Sequence, residues 1–146
     1  MEKISVLNGP NLNLLELRDP TLYGGISLDK INQRLIEKAV TQQVELQFFQ
    51  SNHEGDLIEK VQELIQLDRQ KYLKGILINP GGFSHTSVAL RDALEMITCP
   101  IVEVHLSNIY ARESYRKHSI TAEISSAIIA GFGPIGYEIA LDFLMR

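Results

Sequence analysis

One short stretch, from Pro100 to Arg116, carries the side chains best suited to acid–base chemistry. An apolar, β-branched run after the proline predicts a buried strand, but Glu103 and His105 interrupt it. Because side chains on a strand alternate between its two faces, this carboxylate and this imidazole must point to the same side. A carboxylate beside an imidazole fixes its tautomer and favours its protonation. The pair is therefore a candidate proton donor or acceptor.

The residues that follow this strand add a hydroxyl group and two cations. Ser107 and Asn108 stand where the strand should end, and Arg112 and Arg116 come next. Their spacing of four residues predicts that the arginines share one face of a helical turn. Imidazole, carboxylate, hydroxyl and guanidinium groups would then converge at one strand end. A hydrogen-bonded structural histidine beside a solvated basic turn is the alternative interpretation.

Tyr23 is a second candidate for proton transfer, and it lies in a loop of about twenty residues. A free tyrosine ionises only near pH 10, so a tyrosine base needs a neighbouring cation. One guanidinium about 4 Å away stabilises a phenolate by roughly 4 kcal/mol at an effective dielectric near 20. Arg18 on the same loop, with Arg112, could supply it, and the glycines after Tyr23 could serve as hinges of a lid. A packing role is the alternative.

Hydrophobic patterning predicts strands that alternate with helices along the chain. The strands are predicted at 3–8, 44–49, 75–79, 101–106 and 127–131, and the helices at 28–39, 57–65, 87–96 and 135–145. This alternation indicates an α/β fold with right-handed crossovers. We expect a flavodoxin-like three-layer sandwich whose five-stranded parallel sheet has the order 2-1-3-4-5. Length predicts a single catalytic domain over residues 1–146.

Polar residues cluster after the predicted strands, where such sheets bind ligands. They are Asn8 and Asn11, Asn52, Asn79 and His85, and His105 and Ser107. The composition argues against several other kinds of site. A net charge of −4 without a long basic run argues against nucleic acid, and no histidine pair has metal-ligand spacing. A single cysteine excludes an internal disulfide, and no apolar run could cross a membrane, so a cytoplasmic location is expected.

Two other classes of protein share this architecture. A flavin-carrying electron-transfer module needs a phosphate loop rich in serine and threonine after the first strand, and the sequence GPNLN does not provide one. A receiver domain needs a phosphate-accepting aspartate at a strand end, whereas Asn8 and Asn79 occupy two of those ends. Both classes are disfavoured.

Four separated motifs together resemble the type II 3-dehydroquinate dehydratases: GPNLNLL, RDPxxYGG, INPGGFSHTSVALRDAL and PIVEVHLSNIYARESYR. The resemblance covers nearly the whole chain. It implies a flavodoxin-like, cofactor-free and metal-free lyase that converts 3-dehydroquinate to 3-dehydroshikimate, in aromatic amino-acid biosynthesis or quinate catabolism. It also implies a homododecamer built as a tetramer of trimers.

The resemblance also implies roles for individual residues. Tyr23 matches the proton acceptor, His105 the proton donor oriented by Glu103, Arg18 the transition-state stabiliser, and Asn11 the residue that holds a water. The matching substrate-binding residues are Asn79, His85, Asp92, Leu106, Ser107, Arg112 and Arg116, and Asp92 would reach a neighbouring subunit's site. Simpler alternatives remain for some of them: Asn11 and Asn79 as turn residues, Asp92 as a surface charge, and His85 as a helix cap.

Overall fold

A single five-stranded parallel sheet forms the centre of the computed structural model, which describes residues 1–146. Its strands are β1 (Glu2–Asn8), β2 (Val44–Gln50), β3 (Leu73–Asn79), β4 (Ile101–His105) and β5 (Ala127–Ala130). Their order in the sheet is β2-β1-β3-β4-β5, and every neighbouring pair is parallel. The predicted fold class and strand order are confirmed.

Six α-helices connect and flank the strands. They are α1 (Pro20–Tyr23), α2 (Leu28–Ala39), α3 (Glu54–Arg69), α4 (Phe83–Thr86), α5 (Val88–Glu95) and α6 (Ile135–Met145). Serine side chains cap the starts of two of them: Ser27 accepts from the Lys30 N–H at 3.1 Å, and Ser87 accepts from the Leu90 N–H at 2.9 Å. None of the helices combines the length and the apolarity needed to cross a membrane.

Two apolar clusters, one on each face of the sheet, hold the layers together. Side chains of β1, β3 and β4 alternate between the two clusters, as the pleat requires. One cluster joins the sheet to α2 and α6, and the other joins it to α3 and α5. The result is the predicted three-layer arrangement. Val102 and Val104 lie in the α2/α6 cluster, so Glu103 and His105 point to the other face of the sheet.

The predicted long loop before α2 contains more structure than the sequence analysis expected. A 3₁₀ helix covers Leu12–Leu17, and α1 follows it. Asp19 accepts a hydrogen bond from the Thr21 N–H at 2.9 Å, and Pro20 occupies the first helical position. An N-cap aspartate followed by proline is a local helix-start signal, and α1 is too short for hydrophobic periodicity to reveal it.

Candidate active site

The polar ends of β3 and β4 line one cavity at the carboxyl edge of the sheet. Asn8 and Asn79 are paired in register at the ends of β1 and β3, and His105 ends β4. The cavity is lined by Leu12, Arg18, Tyr23, Asn79, Gly81, Gly82, His85, His105, Leu106, Ser107, Ile109, Arg112 and Arg116. Nine of the twelve residues to which the resemblance assigns roles therefore line one cavity.

Two guanidinium groups converge on the hydroxyl of Tyr23. Arg18 donates to this oxygen at 2.6 Å. Arg112, which lies 89 residues after Tyr23 in the chain, donates to it at 2.7 Å. Tyr23 itself is buried. Two cationic donors on one phenolic oxygen stabilise the phenolate form electrostatically. Directly after it, Gly24 and Gly25 have φ angles of 86° and 72°, and a Cβ on Gly24 would lie 2.6 Å from Pro134 Cδ.

Arg112 and Arg116 meet at the cavity, but not on one face of a helical turn as the sequence analysis predicted. Arg112 has extended backbone between two 3₁₀ helices, Ile109–Ala111 and Ser114–Arg116. Glu113 joins the two arginines instead, with its carboxylate 2.8 Å from Arg116 Nε and 3.7 Å from Arg112 Nε. The spacing-based prediction is wrong because the chain changes direction at Arg112.

Electrostatics keep these side chains charged. The main-chain N–H of Glu113 itself, and then the Arg116 hydrogen bond, lower the pKa of the Glu113 carboxyl. Partial burial acts against the charge on Arg116, but its hydrogen bond to Glu113 and the nearby Tyr23 raise its pKa overall. The cavity therefore presents cations to an incoming ligand.

The imidazole of His105 contacts the carboxylate that precedes it by two residues. His105 Nε2 lies 2.8 Å from Glu103 Oε2, and both side chains are buried. The strand period thus places the pair as the sequence predicted. Glu103 lies behind His105 and does not line the cavity. His85 lies opposite, with its ring centroid 6.3 Å from that of His105 and the two planes 25° apart.

Asn79 is held in place from two directions. Its side-chain oxygen Oδ1 accepts from the Gly81 N–H at 3.1 Å, and its side-chain nitrogen Nδ2 donates to the Tyr137 hydroxyl at 2.9 Å. That hydroxyl donates in turn to Asn8 Oδ1 at 2.6 Å. Burial raises the pKa of Tyr137, so it stays a neutral donor. Asn79 therefore is a turn residue, as the simpler alternative proposed, and it also faces the cavity.

Comparison with known proteins identifies the family. Residues 2–145 match the model of the family described as dehydroquinase class II. This chain belongs to that family. A protein of Aliarcobacter butzleri (strain RM4018) named 3-dehydroquinate dehydratase is 49% identical over 144 residues, which are 99% of this chain and 85% of that protein.

Two further relatives of this class II dehydroquinase chain extend the match. The 3-dehydroquinate dehydratase of Polynucleobacter asymbioticus (strain DSM 18221 / CIP 109841 / QLW-P1DMWA-1) is 52% identical over 139 residues, which are 95% of this chain and 91% of that protein. The crystal structure of a type II dehydroquinase from Butyrivibrio crossotus DSM 2876 superposes with a TM-score of 0.92 at 38% identity. That superposition covers 99% of this chain and 98% of the other.

Besides Glu103, two of the residues to which the resemblance assigns roles in this class II dehydroquinase chain lie outside the cavity. Asn11 is exposed, has a left-handed φ of 69°, and donates its main-chain N–H to Asn52 Oδ1 at 2.9 Å. Asp92 is exposed on α5, with its carboxylate 3.6 Å from Arg91. Within one chain, Asp92 is thus a surface charge, as its simpler alternative stated.

Buried main-chain donors are available at the end of β4. The N–H groups of Leu106 and Ser107 have no acceptor within the protein, although both residues are buried. Most buried N–H groups in proteins are paired, so two adjacent unpaired ones indicate a place for an anionic or carbonyl ligand. The Ser107 hydroxyl, which accepts from Arg112 at 3.1 Å, lies beside them.

Several supporting residues had no signal in the sequence. They are Glu113, Ser119, Thr121 and Tyr137. Ser119 contacts Glu103 from irregular backbone, and Thr121 does so from the start of a 3₁₀ helix, Thr121–Ile124. In the sequence, Tyr137 looks like one more residue of an apolar helix. Long-range polar contacts from 3₁₀ and irregular backbone carry no periodicity. Only an unexpected hydroxyl at a buried helix position, as at Tyr137, could have attracted notice.

Proposed function

We propose that this class II dehydroquinase chain catalyses the anti elimination of water from 3-dehydroquinate to give 3-dehydroshikimate, through an enolate. One observation supports it most: the Tyr23 hydroxyl accepts from two guanidinium groups in the cavity that also holds the His105–Glu103 pair. A tyrosine stabilised as phenolate is a base, and an imidazole that can be protonated is an acid. Dehydration needs both, and it transfers no electrons to a cofactor.

Proton abstraction is the first step of the proposed reaction. The Tyr23 phenolate takes a proton from the C2 carbon beside the C3 ketone. The electron pair of that C–H bond forms the C2–C3 double bond, and the π electron pair of the ketone moves to its oxygen to give the enolate. Arg18 and Arg112 offset the charge on Tyr23 and the charge that develops on the substrate. Asn11, which directly precedes the cavity residue Leu12 in the chain, is assigned by the family resemblance to hold a water against the enolate oxygen.

Loss of hydroxide, protonated as it leaves, completes the reaction. Protonated His105 gives its proton to the C1 hydroxyl while the enolate electrons form the C1–C2 double bond and restore the ketone. One proton is taken, one is given, and one water leaves. Glu103 orients His105 and stabilises the imidazolium before transfer. Tyr23 then releases its proton to solvent and His105 takes one up from solvent, which restores the phenolate and the protonated imidazole for the next turnover.

Substrate binding is assigned to the remaining cavity residues. The carboxylate meets the N–H groups of Leu106 and Ser107 and the Ser107 hydroxyl, beside the charge of Arg112. Ring hydroxyls meet Asn79, His85 and Arg116. Asp92 contributes from a neighbouring subunit in a homododecamer, which its exposed position on α5 permits.

An absorbance assay tests the activity directly. The product is a conjugated enone, so mixing the purified chain with 3-dehydroquinate should raise the ultraviolet absorbance. Tyr23→Phe should abolish most of the rise. If folded wild-type protein leaves 3-dehydroquinate unchanged, the proposed function is wrong.

Borohydride added with substrate should not inactivate the enzyme, because no lysine lines the cavity to form an imine.

A further inference from the structure

One short segment, which ends at the first residue of the 3₁₀ helix Thr121–Ile124, hydrogen-bonds to His85 and to the Glu103 carboxylate that holds His105. It comprises residues 118–121, which we term the 118–121 turn. The main-chain N–H of Ile120 donates to the Ser84 carbonyl at 2.7 Å, which fastens this turn to α4, the helix that carries His85. The Ser84 side chain is fully buried beneath it, so the connection lies in the protein interior.

Both carboxylate oxygens of Glu103 are occupied by donors, and the turn supplies two of the three. Ser119 Oγ donates to Oε2 at 2.5 Å, and Thr121 Oγ1 donates to Oε1. His105 Nε2 is the third donor, at 2.8 Å to Oε2. Ser119 Oγ also accepts from the Ala122 N–H at 3.1 Å, so its own hydrogen is free for Glu103.

This arrangement makes both oxygens of the Glu103 side chain hydrogen-bond acceptors without access to water. Its side chain is fully buried, and a buried carboxylate is tolerated only when hydrogen bonds replace its lost hydration. An ionised carboxylate can only accept, so His105 must carry its hydrogen on Nε2. The Nδ1 atom is then the nitrogen left for exchange with a ligand.

His85 is fixed by the same turn through a different group. Its Nδ1 lies 2.9 Å from the main-chain carbonyl oxygen of His118. A carbonyl can only accept, so Nδ1 of His85 carries a hydrogen and Nε2 of the neutral ring is an acceptor. The two facing rings, 6.3 Å apart, are thereby held in opposite tautomers.

We infer that Ser119 and Thr121 are positioning residues that keep both Glu103 oxygens as hydrogen-bond acceptors and so set the Nε2–H tautomer of His105, while the His118 carbonyl sets the Nδ1–H tautomer of His85. Without the two hydroxyls, the buried carboxyl group loses two of its three donors, and the oxygen that Thr121 leaves can itself carry a hydrogen. Neutral Glu103 would donate to His105 Nε2 and drive the imidazole hydrogen to Nδ1. The effect on turnover rests on the proposed function, but the tautomers do not.

Hydroxyl-deleting variants separate positioning from a merely structural role. Ser119→Ala combined with Thr121→Val removes both donors with little change in volume. Thr121→Ser keeps a hydroxyl at the same place. Ser125→Ala is the matched control, because the Ser125 hydroxyl donates to the Thr121 carbonyl at 3.0 Å and stabilises the same turn without touching Glu103. Should the double variant fail to fold, Thr121→Val alone is measured.

Solid-state ¹⁵N and ¹³C NMR of histidine-labelled protein, without substrate, reports which ring nitrogen carries hydrogen. His105→Asn and His85→Asn samples assign the signals. We expect neutral His105 to be protonated on Nε2 and His85 on Nδ1 in the wild type, and the His105 hydrogen to move to Nδ1 in the double variant. Thr121→Ser and Ser125→Ala should give the wild-type spectrum.

Kinetics give the second readout. The double variant should lose about 10- to 100-fold in kcat with KM changed by less than about threefold, since a general acid contributes roughly 10²–10⁴-fold. The single substitution Thr121→Ser, which keeps a hydroxyl, should leave kcat within about threefold of the wild-type value.

Each outcome has a distinct meaning. Wild-type His105 protonated on Nδ1, or an unchanged tautomer in the double variant, overturns the inference. If the tautomer moves and turnover of 3-dehydroquinate does not, the inference stands and the assignment of His105 as the acid is wrong.

Discussion

Arg18 and Tyr23 are joined by two contacts: the guanidinium donates to the phenolic oxygen at 2.6 Å, and its central carbon lies 3.9 Å from the centre of the tyrosine ring. The first contact stabilises a negative oxygen, and the second is a cation–π interaction that fixes the ring beneath the arginine. Position and charge of the proposed base are therefore controlled by the same side chain.

Replacing Tyr23 by phenylalanine should remove the base and leave the ring. We expect kcat to fall by about 10²–10⁴-fold while KM changes little, because the hydroxyl acts mainly in the transition state. The free energy of unfolding should change by less than about 1 kcal/mol, since the apolar contacts of the ring remain. Steady-state kinetics and urea unfolding check both. Near-wild-type turnover would show that Tyr23 is not the base.

Arg18→Ala should shift the acidic limb of the pH–rate profile to higher pH. The reaction needs the phenolate, and this substitution removes a cationic donor that lies 2.6 Å from the phenolic oxygen. We expect kcat at neutral pH to fall by roughly 10²-fold. Arg18→Lys keeps the charge, so its acidic limb and its kcat should lie between those of the wild type and those of Arg18→Ala. An acidic limb that stays in place in Arg18→Ala means that the arginine only positions the lid or the substrate.

The parts of the site that the sequence predicted depend on simple regularities. The strand period alone placed Glu103 beside His105, and the distance between them agrees. Charge complementarity brought Arg18 and Arg112 to Tyr23. These arguments succeed because a parallel sheet collects its strand ends at one edge, where polar side chains have few other places to lie.

The contacts in the site that the sequence did not predict depend on irregular backbone. Helical spacing failed for Arg112 and Arg116 because two 3₁₀ turns with an extended residue replace a helix there. The hydroxyls of Ser119 and Thr121 reach Glu103 across 16 and 18 residues. No propensity or periodicity encodes such contacts, since tertiary packing alone brings the segments together.

Removing the His105 side chain should cost stability as well as turnover. His105→Ala deletes the acid and one donor of the buried Glu103 carboxylate, so we expect the free energy of unfolding to fall by about 1–3 kcal/mol. Turnover should fall by about 10²–10⁴-fold. His53→Ala is the control, because His53 is exposed and makes no side-chain cap bond. Unchanged stability of His105→Ala would contradict the pairing.

Asp92 should act in a neighbouring subunit's site. Oligomers that contain only Asp92→Ala chains, or only Tyr23→Phe chains, are each expected to have at least about tenfold lower activity than the wild type. After the two variants are dissociated, mixed and reassembled, some sites combine an intact Tyr23 with an intact Asp92 from the other chain. Activity should then recover in part. Light scattering should show a species far larger than one chain. Mixed oligomers without recovered activity would refute the shared site.

Asp68, near the end of α3, should give the fold a pH-dependent contribution to stability. Burial opposes its charge, but hydrogen bonds from the Thr98 N–H and hydroxyl, at 2.7 and 2.8 Å, and from the Cys99 N–H, at 3.2 Å, outweigh it and lower the pKa of Asp68. Burial, and then the Asp68 charge, raise the pKa of the Cys99 thiol to about 12. Alkylation of Cys99 should therefore be slow in the wild type and faster in Asp68→Asn.

The sign of the pH effect on unfolding follows from the lowered pKa. A carboxyl whose folded-state pKa lies below its unfolded value stabilises the fold above the unfolded pKa, near 3.9, and loses that contribution as the pH falls through the folded value. Asp68→Asn should thus cost about 1–3 kcal/mol from roughly pH 5 upward and progressively less below pH 4. Glu59→Gln, the same chemical change at an exposed position of α3, should show no such difference. Urea unfolding at fixed protein concentration measures both variants, and a cost for Asp68→Asn that stays constant down to pH 2 would mean that its charge contributes nothing.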